Sequence, residues 1–263
     1  MSIELRDIHK AFGPKKILRG LSLEVEEGET VSLVGFSGAG KSVTLKHING
    51  LLKPDRGTVF VDGLEVPRLA RDQLYKLRLD IGYVFQFAAL FDSMTVAENI
   101  RMGLVKKGGL SEAQIRERTA ESLRLVDLTG FENRFPAELS GGQRKRAGLA
   151  RAVAYRPKYL LYDEPTSGLD PVTTTVIDRL IMRMKEELGV TSLVITHDMK
   201  SAYTVSDRIA MLYEGRVVQV GTPEEIRASD NQVVRSFVEG RAELAHDAET
   251  PLPDDGGPQR RNP

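Results

Sequence analysis

The sequence predicts an α/β fold with a parallel sheet at its core, an antiparallel sheet beside it and a helical insertion. Three observations predict it. Short apolar runs, Thr30–Val34, Ile81–Phe85, Tyr159–Tyr162 and Thr191–Ile195, alternate with helical stretches, as buried parallel strands do. Two runs near the start, Ile3–Lys10 and Leu21–Val25, alternate apolar and polar residues and read as half-exposed antiparallel strands. From about residue 87 to 139 the pattern turns mostly helical, and the basic helix that follows extends this part to about 155.

Taken in order, the first alternating run leads to Phe12 and Gly13 at a turn, and the second ends at Glu26–Glu29 before the buried run Thr30–Val34. A helix over Val43–Leu51 and a turn at Pro54–Gly57 precede the strand Thr58–Val61 and the tight turn Asp62-Gly63. Arg68–Lys76 reads as a short polar helix. Phe87–Met94 is unusually apolar for a segment preceding a helix start at Thr95–Glu98, and is either buried or a partner's socket. Leu110-Ser111-Glu112 opens an amphipathic helix through Val126, with Ser111 its cap, Ile115, Leu123 and Val126 on its buried side and Gly130 expected to end it. Thr173–Leu188 is a further helix, stopped by Gly189. Ile209–Tyr213 and Arg216–Val220 form a closing hairpin over the Glu214-Gly215 turn, and short helices follow. One principal domain is expected over residues 1–239, with an extension at 240–263 whose Pro, Asp, Gly and Arg content predicts partial disorder.

Composition narrows the function. The 263 residues carry zero formal net charge, which argues against a broad nucleic-acid footprint. Absence of cysteine excludes disulfides, a thiolate zinc site and a thiol nucleophile, and suits a reducing compartment. The first residues do not have the basic-then-apolar pattern of a secretory signal, and no run approaches the ~20 apolar residues of a membrane helix. Any work at a membrane therefore needs a membrane partner.

The chemistry is concentrated at strand ends. Behind Thr30–Val34 stands Gly35-Phe36-Ser37-Gly38-Ala39-Gly40-Lys41-Ser42, a phosphate-binding loop. Its glycines allow backbone N–H groups to point at phosphate oxygens, Lys41 adds a charge, and the Ser42 hydroxyl is suited to magnesium. The helix beginning near Val43 directs its positive end at the same anion. Tyr159–Tyr162 ends in Asp163-Glu164, two carboxylates at the sheet edge where α/β proteins bind ligands. Asp163 suits magnesium held through water, and Glu164 suits a general base. Ser140-Gly141-Gly142-Gln143 opens a helix bearing Arg144, Lys145, Arg146 and Arg151. That segment is either a second anion site or an ordinary capped helix, and its basic residues alone read as a solvated face. Gln86 at a strand end is a loop residue or a ligand for metal or water, His197 is structural or a phosphate donor, and Phe12 by composition favours the core over stacking on a base.

These elements occur in the order of the ATP-binding subunits of ABC transporters, which the chain resembles from residue 3 to about 225: phosphate loop, Gln86, Leu139–Gln143, Asp163-Glu164, Ser167–Asp170 and His197. The resemblance implies a RecA-like parallel core, ATP as substrate and Mg2+ as cofactor. It implies that Gly35–Val43 wrap the phosphates, that Ser42, Gln86 and Asp163 serve magnesium, that Glu164 activates water and that His197 senses the γ-phosphate. It further implies that Ser140, Gly141, Gly142 and Gln143 of a second copy close the site in a head-to-tail dimer, with Asp170 linking the two sites. It places Phe12 against adenine, in place of the usual tyrosine. Finer similarity, in Leu74–Arg78, Phe85–Val96 and Val234–Gly240, is to the ATPases of Mla-type lipid transporters. This implies a permease received at Ala88–Met94, an MCE-domain lipid-carrying protein, and a place on the cytoplasmic face of the inner membrane. Gln232–Glu243 are expected to contact the second subunit. An importer ATPase for amino acids or other small solutes shares the same catalytic motifs. The long coiled-coil arms of DNA-repair members and the paired domains of translation members are missing.

Overall fold

Every position of Thr30–Val34 is buried, as in a strand covered on both faces in the middle of a sheet, and the computed structural model, which describes residues 2–241, places it there. The chain begins with β1 (Ile3–Phe12) and β2 (Lys15–Val25), then β3 (Thr30–Val34) and α1 (Lys41–Ile48). Next come β4 (Arg56–Val61), β5 (Leu64–Glu65), α2 (Arg71–Leu79) and β6 (Ile81–Val84). The helical part holds α3 (Val96–Lys107), α4 (Glu112–Leu125) and α5 (Gly141–Val153). The core resumes with β7 (Tyr159–Asp163), α6 (Pro171–Leu188), β8 (Thr191–Thr196) and α7 (Met199–Val205). The hairpin β9 (Arg208–Tyr213) and β10 (Arg216–Gly221) precedes α8 (Pro223–Arg227) and α9 (Gln232–Val238).

Two sheets result. One runs β10-β9-β3-β8-β7-β6, parallel throughout except for β10, and the other is antiparallel, β2-β1-β4-β5. Ile3, Leu5, Ile8, Leu21 and Val59 of the antiparallel sheet pack with Val31, Leu33, Leu161 and Leu193, while Leu45 and Ile48 of α1 fill the layer between. On the opposite face, Val84, Leu160, Tyr162 and Val194 meet α3, α4, α5 and α6. Burial of this kind is worth about 1.5–3 kcal/mol for each large apolar side chain, which fixes the sheets against one another.

The order of neighbours β3-β8-β7 has a direct consequence for function. It sets the carboxyl ends of the strands leading to Gly35, His197 and Glu164 side by side, although those residues are distant in sequence.

Some expectations are corrected. α4 stops at Leu125, with Val126 as its cap and Asp127 in the left-handed region at φ 55°, so Gly130 lies in the following turn rather than ending the helix. Phe12 is 48% exposed and is no core residue, because the end of β1 pairs only with β2, Phe12 opposite Lys15, past the last pairing with β4 at His9. The predicted extension 240–263 falls, from residue 242 onward, outside the described residues.

Candidate functional site

The loop Gly35–Ser42 is shaped by close backbone approaches. A Cβ on Gly35 would stand 2.3 Å from the carbonyl oxygen of Leu212, and Gly40 combines φ 106° with Leu18 at 2.7 Å from the same virtual atom. No other residue fits at Gly35 without moving a strand, and at Gly40 the positive φ strains any side chain. The loop wraps the Lys41 ammonium, which donates to the carbonyls of Gly35 at 2.8 Å and Phe36 at 3.1 Å and lies 3.9 Å from Glu164 Oε1. Burial pushes its pKa down, partly offset by Glu164 and then Asp163. Ala39 closes the turn with an N–H to Phe36 O at 3.3 Å, Ser37 and Gly38 are exposed, and Val43 packs under the loop against the main core.

Behind Lys41, Ser42 Oγ donates to Asp163 Oδ1 at 2.8 Å. The other carboxylate oxygen accepts from Tyr83 OH at 3.0 Å, so both oxygens of Asp163 are oriented from neighbouring elements. Burial, with Asp163 next to it, raises the Tyr83 pKa far above neutrality and keeps the phenol a donor. The strand pattern of Ile81–Val84 hid this role, since Tyr83 reads there as an apolar aromatic. A hydroxyl and a carboxylate form an oxygen-only donor set, the kind that suits Mg2+ completed by water and phosphate oxygens. Among the described residues no cluster of three or more His, Cys, Asp and Glu forms a metal cage of its own.

Glu164 sits one residue past the end of β7 in the left-handed region, at φ 50°, a strained conformation for a glutamate. Its surroundings hold it there. The Glu164 N–H donates to Ile195 O at 2.9 Å, and the buried Lys145 ammonium donates to its carbonyl at 3.2 Å. His197 Nδ1 lies 2.8 Å from Glu164 Oε2. The strain therefore turns the carboxylate back over Lys41 instead of along the strand.

The four basic residues of α5 are not a solvated face. Each donates to a backbone carbonyl: Arg144 to Leu139, Lys145 to Glu164, Arg146 to Val126 and Asp127, and Arg151 to Ala88 at 2.9 Å and to Ala89. The apolar loop is thus pinned. Ala88 and Ala89 take positive φ values of 59° and 50°, and buried Asn99 accepts from Phe91 N–H and donates to the carbonyls of Phe91, Met94 and Thr95. On this rigid base Phe87 is 85% exposed, with Phe85 and Phe91 also at the surface.

Other predicted residues lie apart from the Lys41–Glu164 centre. Gln86 bonds only Ser167 Oγ, at 3.4 Å, and makes no hydrogen bond to Ser42 or Asp163. Ser140 caps α5, accepting from Gln143 N–H while Gln143 Oε1 accepts from Ser140 N–H, and Gly141 begins the helix. Gly142 lies so close to Thr173 that a Cβ would come within 2.5 Å. Asp170 accepts from the Thr173 hydroxyl and caps α6 through the N–H groups of Thr173 and Val172, which together hold its pKa low. Phe12 is exposed with Lys10 Nζ 5.6 Å from its ring centre. Within one chain, then, the site divides into a converged half and an outlying half.

The parallel sheet, glycine loop and strand-end carboxylates define a nucleotide-hydrolysing class of protein. The chain belongs to the ABC transporter family, whose model matches residues 18–167, and is an ATPase that uses ATP with Mg2+. It is 42% identical over 241 residues to the probable ribonucleotide transport ATP-binding protein mkl of Mycobacterium leprae, covering 92% of this chain and 70% of that protein. It is 43% identical over 254 residues to the chloroplastic protein TRIGALACTOSYLDIACYLGLYCEROL 3 of Arabidopsis thaliana, covering 90% and 73%. A dimeric post-hydrolysis structure of the ATP-binding cassette MJ0796, bound to ADP and Pi, superimposes with a TM-score of 0.77 at 37% identity, covering 84% of this chain and 98% of that one.

Proposed function

We propose that this ATPase powers lipid movement across a cell envelope, working as a head-to-tail pair beneath a permease on the cytoplasmic face of the inner membrane, with an MCE-type lipid-binding partner. The single observation that carries the coupling is the platform at Ala88–Met94. Arg151 and Asn99 hold its backbone while Phe87 and Phe91 face outward, and an apolar surface made rigid in this way suits a membrane subunit's short helix. The name of the Arabidopsis relative is that of a galactolipid, which supports a lipid cargo; the mycobacterial name supports a small solute instead.

In the proposed reaction, Lys41 and the N–H groups of Gly38–Ser42 bind the phosphates, with Gly35–Ala39 and Val43 shaping the loop and Phe12 stacking on adenine. Ser42 and Asp163 would hold Mg2+, which would supply charge neutralisation at the transferring phosphoryl group. Glu164 takes the proton of the attacking water. His197 fixes that carboxylate: a neutral ring donating from Nδ1 keeps a lone pair on Nε2, so donation from Nε2 to a γ-phosphate requires the imidazolium or release of Glu164. Gln86, whose amide N–H donates to Ser167 Oγ, would add its amide oxygen to the same metal from the segment that leads into the platform. Ser140–Gln143 and Asp170 act on the site of the second copy. The polar face of α9, with Gln232, Arg235 and Glu239, is what remains for that copy, since its apolar face is occupied within the chain.

Affinity purification of the full chain from detergent-solubilised membranes tests this reading. Recovery of a permease together with an MCE-domain protein supports it. Recovery with a periplasmic solute receptor, or on ribosomes or DNA without any membrane protein, overturns it.

A further inference from the structure

The second residue of the phosphate loop is anchored from the far end of the described chain. Phe36 stacks edge-on against Phe237 of α9, with ring centres 5.0 Å apart and planes at 82°, and against Tyr213 at 6.0 Å and 68°. Phe36 and Phe237 lie on a small apolar cluster that includes Val34, Ile209, Met211, Ile226 and Val234, separate from the two larger cores. The carbonyl of the same residue, Phe36, accepts from Lys41 Nζ at 3.1 Å and from Ala39 N–H at 3.3 Å. One residue therefore carries both the anchor and part of the loop's internal bonding.

Between Phe36 and Ala39 the loop is open. Gly38 is at φ 77° with open space where a Cβ would be, and Ser37 is exposed. A glycine-rich loop loses much backbone entropy on wrapping a phosphate, so a contact that restricts it beforehand lowers the cost of binding. Edge-on aromatic pairs contribute enough for that purpose.

We propose that Phe237 is a positioning residue for ATP binding: α9 preorganises the phosphate loop through the Phe237–Phe36 contact, so that whatever engages or displaces α9 tunes nucleotide affinity. This rests on Gly35–Ser42 being the phosphate-binding loop. The device is a lever between α9 and the fuel site. A partner bound to α9 needs no contact with nucleotide to act.

The test measures MgATP affinity by titration calorimetry on the full chain for wild type, Phe237→Ala, Phe237→Leu, Phe36→Ala and the double variant, with Lys41→Ala as the control for the loop. Phe237→Ala is expected to raise the Kd about two- to tenfold, Phe237→Leu to recover part of the loss, and the double variant to bind no more weakly than Phe36→Ala alone. Thermal midpoints without nucleotide separate folding from positioning, because Phe237→Leu keeps the apolar cluster filled. Affinity unchanged in Phe237→Ala while Lys41→Ala loses binding overturns the lever and leaves the loop intact. Independent, additive losses in the double variant also overturn it. Unchanged affinity in Lys41→Ala overturns the loop assignment itself.

Discussion

Asp178 on α6 is a buried carboxyl whose replacement by asparagine changes how stability depends on pH. Its Oδ2 accepts from Ser201 Oγ at 3.0 Å on α7, while Oδ1 is buried without a partner. Burial, with the Asp198 carboxylate nearby and only partly offset by Ser201 and Lys200, pushes its pKa up to about 6. The unfolded chain releases the same proton near pH 4. Between those values the native state holds the proton and the unfolded state does not, so stability falls as pH rises through the window. Above pH 6 the full cost is about 3 kcal/mol, of which about 1.5 kcal/mol is incurred between pH 5 and pH 7.5. Asp178→Asn has no proton to lose. The difference in thermal midpoint between variant and wild type is therefore expected to move in the variant's favour by about 3–6 °C from pH 5 to pH 7.5, measured by calorimetry without nucleotide. A difference that stays constant with pH refutes the reasoning.

Three further outcomes follow from the site. Lys41→Ala removes a buried charge from the phosphate loop, and MgATP binding is expected to weaken about 10- to 100-fold, read by calorimetry. Tyr83→Phe frees Asp163 Oδ2; the Mg2+ concentration that half-saturates the metal-dependent part of ATP binding is expected to rise about tenfold, and an unmoved Mg2+ titration refutes the role. Lys145→Met leaves the Glu164 carbonyl without its ammonium donor and loosens the positive-φ turn. Hydrolysis is expected to fall about tenfold while ATP affinity stays within about twofold, so a joint loss of both shows that the whole fold was disturbed.

Much of this architecture was legible in the sequence because its signals are local. Buried parallel strands announce themselves as apolar runs, Ser111 and Ser140 sit at caps, and the carboxylates of Asp163-Glu164 follow directly on a strand. What was hidden depends on residues meeting across long separations. Arg151 on Ala88 and Ala89, Tyr83 on Asp163 and Phe237 on Phe36 leave no periodic trace, since an arginine reads as surface and an aromatic as core until the fold supplies the neighbour. Phe12 was misjudged by composition for the same reason, its fate being set by where β1 ends. Gly130 looked like a helix stop, but Asp127 adopts the left-handed turn first.

The measurement that bears most directly on the central claim combines turnover and mass for Glu164→Gln at saturating MgATP, by phosphate release and light scattering. The account predicts that ATP binding persists, that hydrolysis falls about 10²- to 10⁴-fold and that ATP-dependent dimers accumulate. Turnover near the wild-type rate, with no dimer formed, would contradict it.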